Sequence, residues 1–256
     1  MLSIVTVTFN NPLELASTLS SIKEGLFEVP QAKETVEVII VDGGSNHVSE
    51  SIIDEMSVCC NMVWIREHDN GIYDAMNKGI AIASRRCIMF LNSGDRISIS
   101  SFPHLLNDIK KIRNFGDYVY AKTVIKKGSR ITEIPNKEYD IYGFINHVNT
   151  VICHQAMIFR TVDCKANPYD STLRIVADYD LKYKFFRCGT GYFSSSYKIF
   201  FDPSGVSSSI KNLVMLRLRW RETTIMYIRH KFPIYLYLKS LTVHMLKYLR
   251  FLIEKK

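Results

Sequence analysis

The chain has 256 residues, with 33 Lys and Arg against 25 Asp and Glu and a formal net charge of +8. Its 47% hydrophobic and 23% charged content excludes a disordered chain, and the length suits one large α/β domain or two small ones. The charge is uneven: Lys211 to Lys256 holds eleven Lys and Arg against two acidic residues, a net +9, so the first 210 residues stand at −1. That excludes a basic nucleic-acid-binding core and points to a basic appendage with its own partner.

The N-terminal third alternates strand and helix signals. Ser3 to Phe9 is rich in β-branched residues and stops at Asn10-Asn-Pro12, after which Leu13, Ala16, Leu19 and Ile22 recur at helical spacing. Val36 to Val41 predicts a second strand, cut off by Asp42-Gly-Gly-Ser45, and a helix containing Ile52, Ile53 and Met56 leads to a third strand at Met62 to Ile65. Ile72 to Ala83 predicts another helix and Cys87 to Leu91 a fourth strand. This order implies a mostly parallel sheet with helices on both faces, whose ligands bind beyond the carboxyl ends of the strands. Those ends carry Thr8-Phe-Asn10, Asp42-Gly-Gly-Ser45, Glu67-His-Asp-Asn-Gly71 and Asn92-Ser-Gly-Asp95.

A mixed half follows, expected to complete the same domain. It reads as a helix near Phe102 to Ile112, strands near Asp117 to Val124 and Arg130 to Ile134, a strand over Val148 to Phe159, a helix over Leu173 to Cys188 and a strand over Tyr192 to Phe201. The loop from Asp202 to Ser209 leads into a helical basic tail, giving expected units of 1–208 and 209–256. The six cysteines form no C-x-x-C pair and several lie in apolar runs, as free thiols do in a reducing cytosol. Leu2 to Phe9 lacks a basic flank and a small-residue cleavage site, and no 18-residue uncharged apolar run exists, so neither a secretory leader nor a transmembrane helix is expected.

Each motif has a bland reading beside the functional one. Asp42-Gly-Gly-Ser45 offers free amides and a carboxylate to a base or ribose, and equally makes a tight βα turn. Asp95 can hold Mg²⁺ or Mn²⁺ with phosphate oxygens, or merely close a turn. Asp178 and Asp180 are two apart on a helix and so point different ways. His154-Gln155 interrupts an apolar run as a core pair or as a cleft group, and no histidine spacing suits zinc. Neither a P-loop nor G-x-G-x-x-G is present, which weighs against dinucleotide oxidoreductases.

The ordered set Ser3–Asn10, Ile39–Ser45, Asp69–Gly79, Phe90–Asp95, His154-Gln155 and Ala177–Asp180 resembles the family 2 glycosyltransferases of the GT-A fold, over about residues 2–208. Small bacterial enzymes of O-antigen, capsule and exopolysaccharide synthesis are the most similar in pattern. The resemblance implies an inverting enzyme that takes a sugar from a nucleotide-diphospho-sugar, UDP by default, to a lipid-linked or oligosaccharide hydroxyl. It implies that Thr8, Asn10 and Asp42 contact base and ribose, that Asp69 and Asn77 border the nucleotide, and that Asp178 is the catalytic base. Asn92-Ser-Gly-Asp95 takes the place of the family's D-x-D region with one carboxylate, leaving Asp95 for a divalent metal, and His154 and Gln155 fall at the donor or acceptor pocket.

In the tail, apolar and aromatic residues interleave with Lys239, Lys247 and Arg250, which fall within about 80° of one another on a helix. This is the pattern of a helix lying on anionic lipid, which would place the enzyme at the cytoplasmic face of the inner membrane; packing on the domain or a homodimer is the alternative. A sugar-phosphate nucleotidyltransferase is the enzymatic rival, but Thr6 to Pro12 lacks the glycine-rich basic loop expected of one. A nucleic-acid-binding protein is opposed by the near-neutral body and the acidic strand ends.

Overall fold

The computed structural model describes residues 1–47, 50–135, 152–203 and 213–254. Strands β1 (Leu2–Thr8), β2 (Val36–Asp42), β3 (Asn61–Arg66) and β4 (Cys87–Phe90) alternate with helices α1 (Pro12–Glu28), α2 (Glu50–Cys59) and α3 (Ile72–Ile82). The short β5 (Arg96–Ile97) and α4 (Phe102–Asp108) precede the hairpin of β6 (Tyr118–Lys127) and β7 (Arg130–Ile134). After residue 151 come β8 (Met157–Arg160), α5 (Thr161–Ala166), α6 (Ala177–Cys188), β9 (Gly191–Phe201), α7 (Leu213–Arg229) and α8 (Ile234–Glu254).

One nine-stranded sheet runs β3-β2-β1-β4-β8-β6-β9-β5, with β7 added to β6. Strands β1 to β4 are parallel, β8 is antiparallel to both β4 and β6, and β9 returns parallel to β6. The apolar runs of β1, β2 and β4 are buried along their whole length because both faces are covered. Alternate β1 residues serve the two sides: Leu2 and Ile4 pack with Leu15, Leu19 and Phe102, whereas Val5 and Val7 pack with Met76, Phe159 and Phe185.

Two expected elements differ. The strand foreseen over Val148 to Phe159 is described only from Ile152: His154–Ala156 form a 3₁₀ turn, closed by the Ala156 N–H to Cys153 O, and the strand begins at Met157. Its first four residues lie outside the described residues. The helix expected from Leu173 starts at Ala177, and the residues before it form a turn held by side chains. The boundary expected near residue 208 falls within 204–212, also outside the described residues. The helix beyond it is no loose appendage, because Met226 and Tyr227 of α7 and Leu236 of α8 are buried in the core that contains Tyr73 and Phe186.

Candidate active site

The carboxyl ends of β1 and β2 meet in a hydrogen-bonded cluster. Asp42, fully buried, accepts from the Ser45 N–H at 2.8 Å and the Ser45 hydroxyl at 2.5 Å through one oxygen. Its other oxygen lies 3.7 Å from Arg66 Nε and receives no hydrogen bond from the described residues. Asn10, at a positive φ of 53°, donates its N–H to Ser45 Oγ and accepts from the Asn46 N–H. Thr8 Oγ1 donates to Asn11 Oδ1 at 2.6 Å. Asp69 lies against Gly43, where a Cβ would come within 2.3 Å of its carboxylate, so only glycine admits this approach. Thr8, Asn10, Asp42 and Asp69 are thus brought together, and the unmet Asp42 oxygen is an acceptor for a ligand N–H or O–H.

Asn77 is placed differently. Its amide donates to Tyr169 O at 2.8 Å and accepts from the Tyr169 N–H at 2.9 Å. Both ends of this side chain are engaged in pinning the 169 loop to α3.

Asp95 follows β4, only 2% exposed. Burial pushes its pKa up to about 7; the Asp202 N–H, bonded to Oδ1 at 2.9 Å, opposes this, and the Asp202 carboxylate adds to it. Gly94 adopts φ 98°, and a Cβ there would meet the Asp202 carboxylate at 2.5 Å, so the glycine lets the two acids share one place. A buried carboxylate beside another is costly as an anion unless a cation joins it. Among the described residues no cluster of three His, Cys, Asp or Glu could hold a metal ion. The donor set Asp95 and Asp202 still fits Mg²⁺ or Mn²⁺, which takes one or two carboxylates and fills its shell with water and phosphate oxygens.

Asp178 stands in the first turn of α6, its side chain 24% exposed. The Tyr73 hydroxyl lies 3.3 Å from Oδ1; Lys182 Nζ at 3.1 Å and His154 Nδ1 at 3.6 Å approach Oδ2. Burial alone would raise the Asp178 pKa, but Lys182 and His154 hold it well below the usual carboxylate range. His154 Nε2 is buried with no hydrogen-bond partner among the described residues. Its neighbour Gln155 is near enough to Asp95 to favour its carboxylate form. Successive residues of one 3₁₀ turn therefore face the two acids.

Asp180, as its spacing foretold, points elsewhere. Fully buried, it meets His230 Nε2 at 2.6 Å, Lys184 Nζ at 2.8 Å and Arg229 at 3.5 Å, and so ties α6 to the end of α7. Burial opposes its ionisation, but His230 and Lys184 bring its pKa down to about 2.

The sequence reading missed Tyr73, Lys182, Asp202 and Glu222. Glu222 of α7, 3% exposed, accepts the N–H groups of Arg174 and Ile175 at 2.8 Å and of Val176 at 3.3 Å. The tail thereby fixes the turn that delivers Asp178. Arg219, one turn earlier on α7, is near enough to Asp178 and Tyr73 to interact with both.

A mixed sheet with acidic strand ends gathered under helices is the GT-A architecture of nucleotide-sugar glycosyltransferases. Residues 3–165 match glycosyl transferase family 2, and the chain belongs to that family. It is 27% identical over 198 residues to the "PGL/p-HBAD biosynthesis glycosyltransferase" of Mycobacterium bovis, covering 73% of this chain and 70% of that one. An uncharacterized glycosyltransferase of Mycobacterium tuberculosis is 36% identical over 98 residues, 38% of this chain and 34% of that protein. Among solved structures, S. aureus TarS 1-349 aligns with a TM-score of 0.66 at 14% identity, over 89% of this chain and 64% of that one. Its complex with UDP-GlcNAc aligns at 0.64 and 15% identity, over 87% and 65%. The chain thus spans just under two thirds of TarS 1-349.

Proposed function

We propose that the protein is an inverting glycosyltransferase that moves a sugar from a UDP-sugar to a hydroxyl of a lipid-linked or oligosaccharide acceptor in bacterial surface polysaccharide synthesis. The observation that carries this reading is the 3₁₀ turn whose His154 faces Asp178 at 3.6 Å and whose Gln155 lies beside Asp95. It couples a proton acceptor to a cation-seeking carboxylate in one cleft. S. aureus TarS was crystallised with UDP and with UDP-GlcNAc, which supports a uridine donor here.

Thr8, Asn10, Asp42 and Asp69 bind the nucleoside, with the unmet Asp42 oxygen accepting from base or ribose. Asp95 and Asp202 would hold a divalent cation, which neutralises the leaving diphosphate when bound. The acceptor oxygen forms a bond to the anomeric carbon on the face opposite the departing diphosphate, whose oxygen leaves with the bond pair. Asp178 takes the acceptor proton, a contribution of roughly 10²–10⁴-fold. One displacement inverts the anomeric centre. His154 and Lys182 fix the Asp178 carboxylate in place during the transfer.

The exposed apolar residues Ile234, Leu238 and Met245 of α8 support attachment to an anionic membrane at its cytoplasmic face, as does the +9 tail. No helix among the described residues is long and apolar enough to cross a membrane.

Hydrolysis of UDP-, GDP- and dTDP-sugars, each with and without Mn²⁺, tests the donor class. The anomeric configuration of the first-formed sugar product, read by proton NMR, tests inversion. Turnover restricted to UDP donors and an inverted product are expected; a retained configuration would refute the mechanism.

A further inference from the structure

At the pole of the sheet opposite the cleft lies a second, strongly basic cavity of about 360 Å³. Arg85 and Arg86 immediately precede β4, and Arg160 pairs with Cys87 at the same end, whereas Asp95 follows the other end of that strand. At about 3.3 Å per residue the four residues of β4 alone keep the two sites more than about 10 Å apart. Arg113 and Lys165 complete the basic lining, and Thr161 contributes a hydroxyl.

Few of these cations are neutralised. Arg86 donates to the main-chain carbonyls of Ile109 and Ile112, which carry no net charge. Arg160 Nε lies 3.5 Å from Asp163, itself bonded to the Gly116 N–H. Arg85 Nε is 3.8 Å from Glu37, whose oxygens already accept from Ser3 and Ser84. Arg113 and Lys165 have no ion pair among the described residues. Five cations thus meet three carboxylates, Glu37, Asp163 and Asp117, the last near enough to Arg160 to interact with it, in a body whose net charge is −1. An independent observation points to a ligand: Thr161 is only 5% exposed, lines this cavity, and its Oγ1 has no hydrogen-bond partner among the described residues.

We propose that this cavity is an anion-binding site for a phosphoryl group, separate from the donor cleft. Guanidinium groups match tetrahedral phosphate oxygens bidentately; with the Arg86 fork held by main-chain carbonyls, Arg85, Arg113, Arg160 and Lys165 are left to meet the anion beside the buried Thr161 hydroxyl. The volume is in the range of small-molecule sites. The same chemistry would be presented by a soluble phosphorylated ligand or by a phospholipid headgroup. The site stands independently of the glycosyl-transfer reading.

Calorimetric titration of the full chain with inorganic pyrophosphate, with UDP saturating the cleft and no divalent metal, is the first arm. The second is flotation with phosphatidylcholine vesicles with and without phosphatidic acid. Arg113→Ser/Lys165→Ser changes two exposed, unpaired side chains, so the melting temperature should not move. Thr161→Val keeps the shape and removes the hydroxyl. Saturable pyrophosphate binding, weakened about tenfold or more in both variants, supports the site with a soluble ligand. No pyrophosphate binding, but reduced recovery of both variants on phosphatidic acid vesicles alone, supports the site with a headgroup. Variants indistinguishable from the unaltered chain in both arms would overturn the proposal.

Discussion

Lys182 Nζ lies 3.1 Å from Oδ2 of Asp178, one helical turn away, and also donates to Ile152 O at 3.0 Å. The ammonium is buried, with 8% of the side chain exposed. It offsets the burial that would otherwise protonate Asp178, so the acid stays a carboxylate ready to accept a proton. In Lys182→Met burial regains the upper hand and the Asp178 pKa rises. The base acts only when ionised, so the acid limb of the kcat/KM profile should move to higher pH by more than about one unit. An unmoved acid limb would remove Lys182 from this role.

Asp178→Asn keeps the size of the side chain and removes the proton acceptor. Turnover should fall by roughly 10²–10⁴-fold, with UDP affinity by calorimetry unchanged because the proposed nucleoside cluster sits at β1 and β2. Near-normal turnover would sink the assignment.

The parallel strands β1, β2 and β4 were legible because a strand buried on both faces is mostly apolar, as in Cys87 to Leu91 and, Glu37 apart, Val36 to Val41. The polar strand ends were legible for the complementary reason: Asp42 and Asp95 interrupt apolar runs where a parallel sheet places its cleft. The strand foreseen through His154 failed because an apolar run does not reveal a 3₁₀ turn inside it. Lys182 was within reach, since Asp and Lys four apart share a helix face, but nothing local says that the face is buried. Glu222 bonds to residues 46 to 48 positions away. Its only trace in the sequence is an acid standing in a stretch of eleven basic residues. The late start of α6 has the same origin, since the N–H groups of residues 174–176 are held by that carboxylate.

Asp95 gives a stability signal with a definite sign. Its folded pKa of about 7 is above the value of 3.8 for an unperturbed Asp, so the folded state gains from protonated Asp95 at low pH and loses this as pH rises through 7. Without divalent cations at pH 8, Asp95→Asn should therefore melt several degrees above the unaltered chain, the gap closing toward pH 4. Mn²⁺ at pH 8 should raise the melting temperature of the unaltered chain and not of the variant. Equal response of both to Mn²⁺ in scanning fluorimetry would dissociate Asp95 from the cation.

Glu222→Ala leaves three main-chain N–H groups beside Ile175 without their acceptor, two of them bonded at 2.8 Å. A loss of about 3 kcal/mol in urea unfolding is expected from charge-assisted bonds of this kind. The readout specific to positioning is kinetic: Glu222→Gln, which keeps one carbonyl acceptor, should remain folded with reduced kcat while KM for the donor is little changed. A donor KM that rises with kcat unaltered would assign Glu222 to donor binding instead.

The exposed residues of α8 define how the tail meets its surroundings. Ile234, Leu238 and Met245 are 70%, 52% and 51% exposed and fall within about 40° of one another at about 100° per residue, on the side away from buried Leu236. These side chains are exposed among the described residues, so Ile234→Asp/Leu238→Asp should leave the melting temperature unchanged. On vesicles rich in phosphatidylglycerol the double variant should float poorly, because two carboxylates would enter the apolar layer and repel the anionic surface. Sedimentation separates the other use of the stripe: a dimer of the unaltered chain that the variant dissolves, with vesicle binding equal in both, would assign α8 to self-association and not to the membrane.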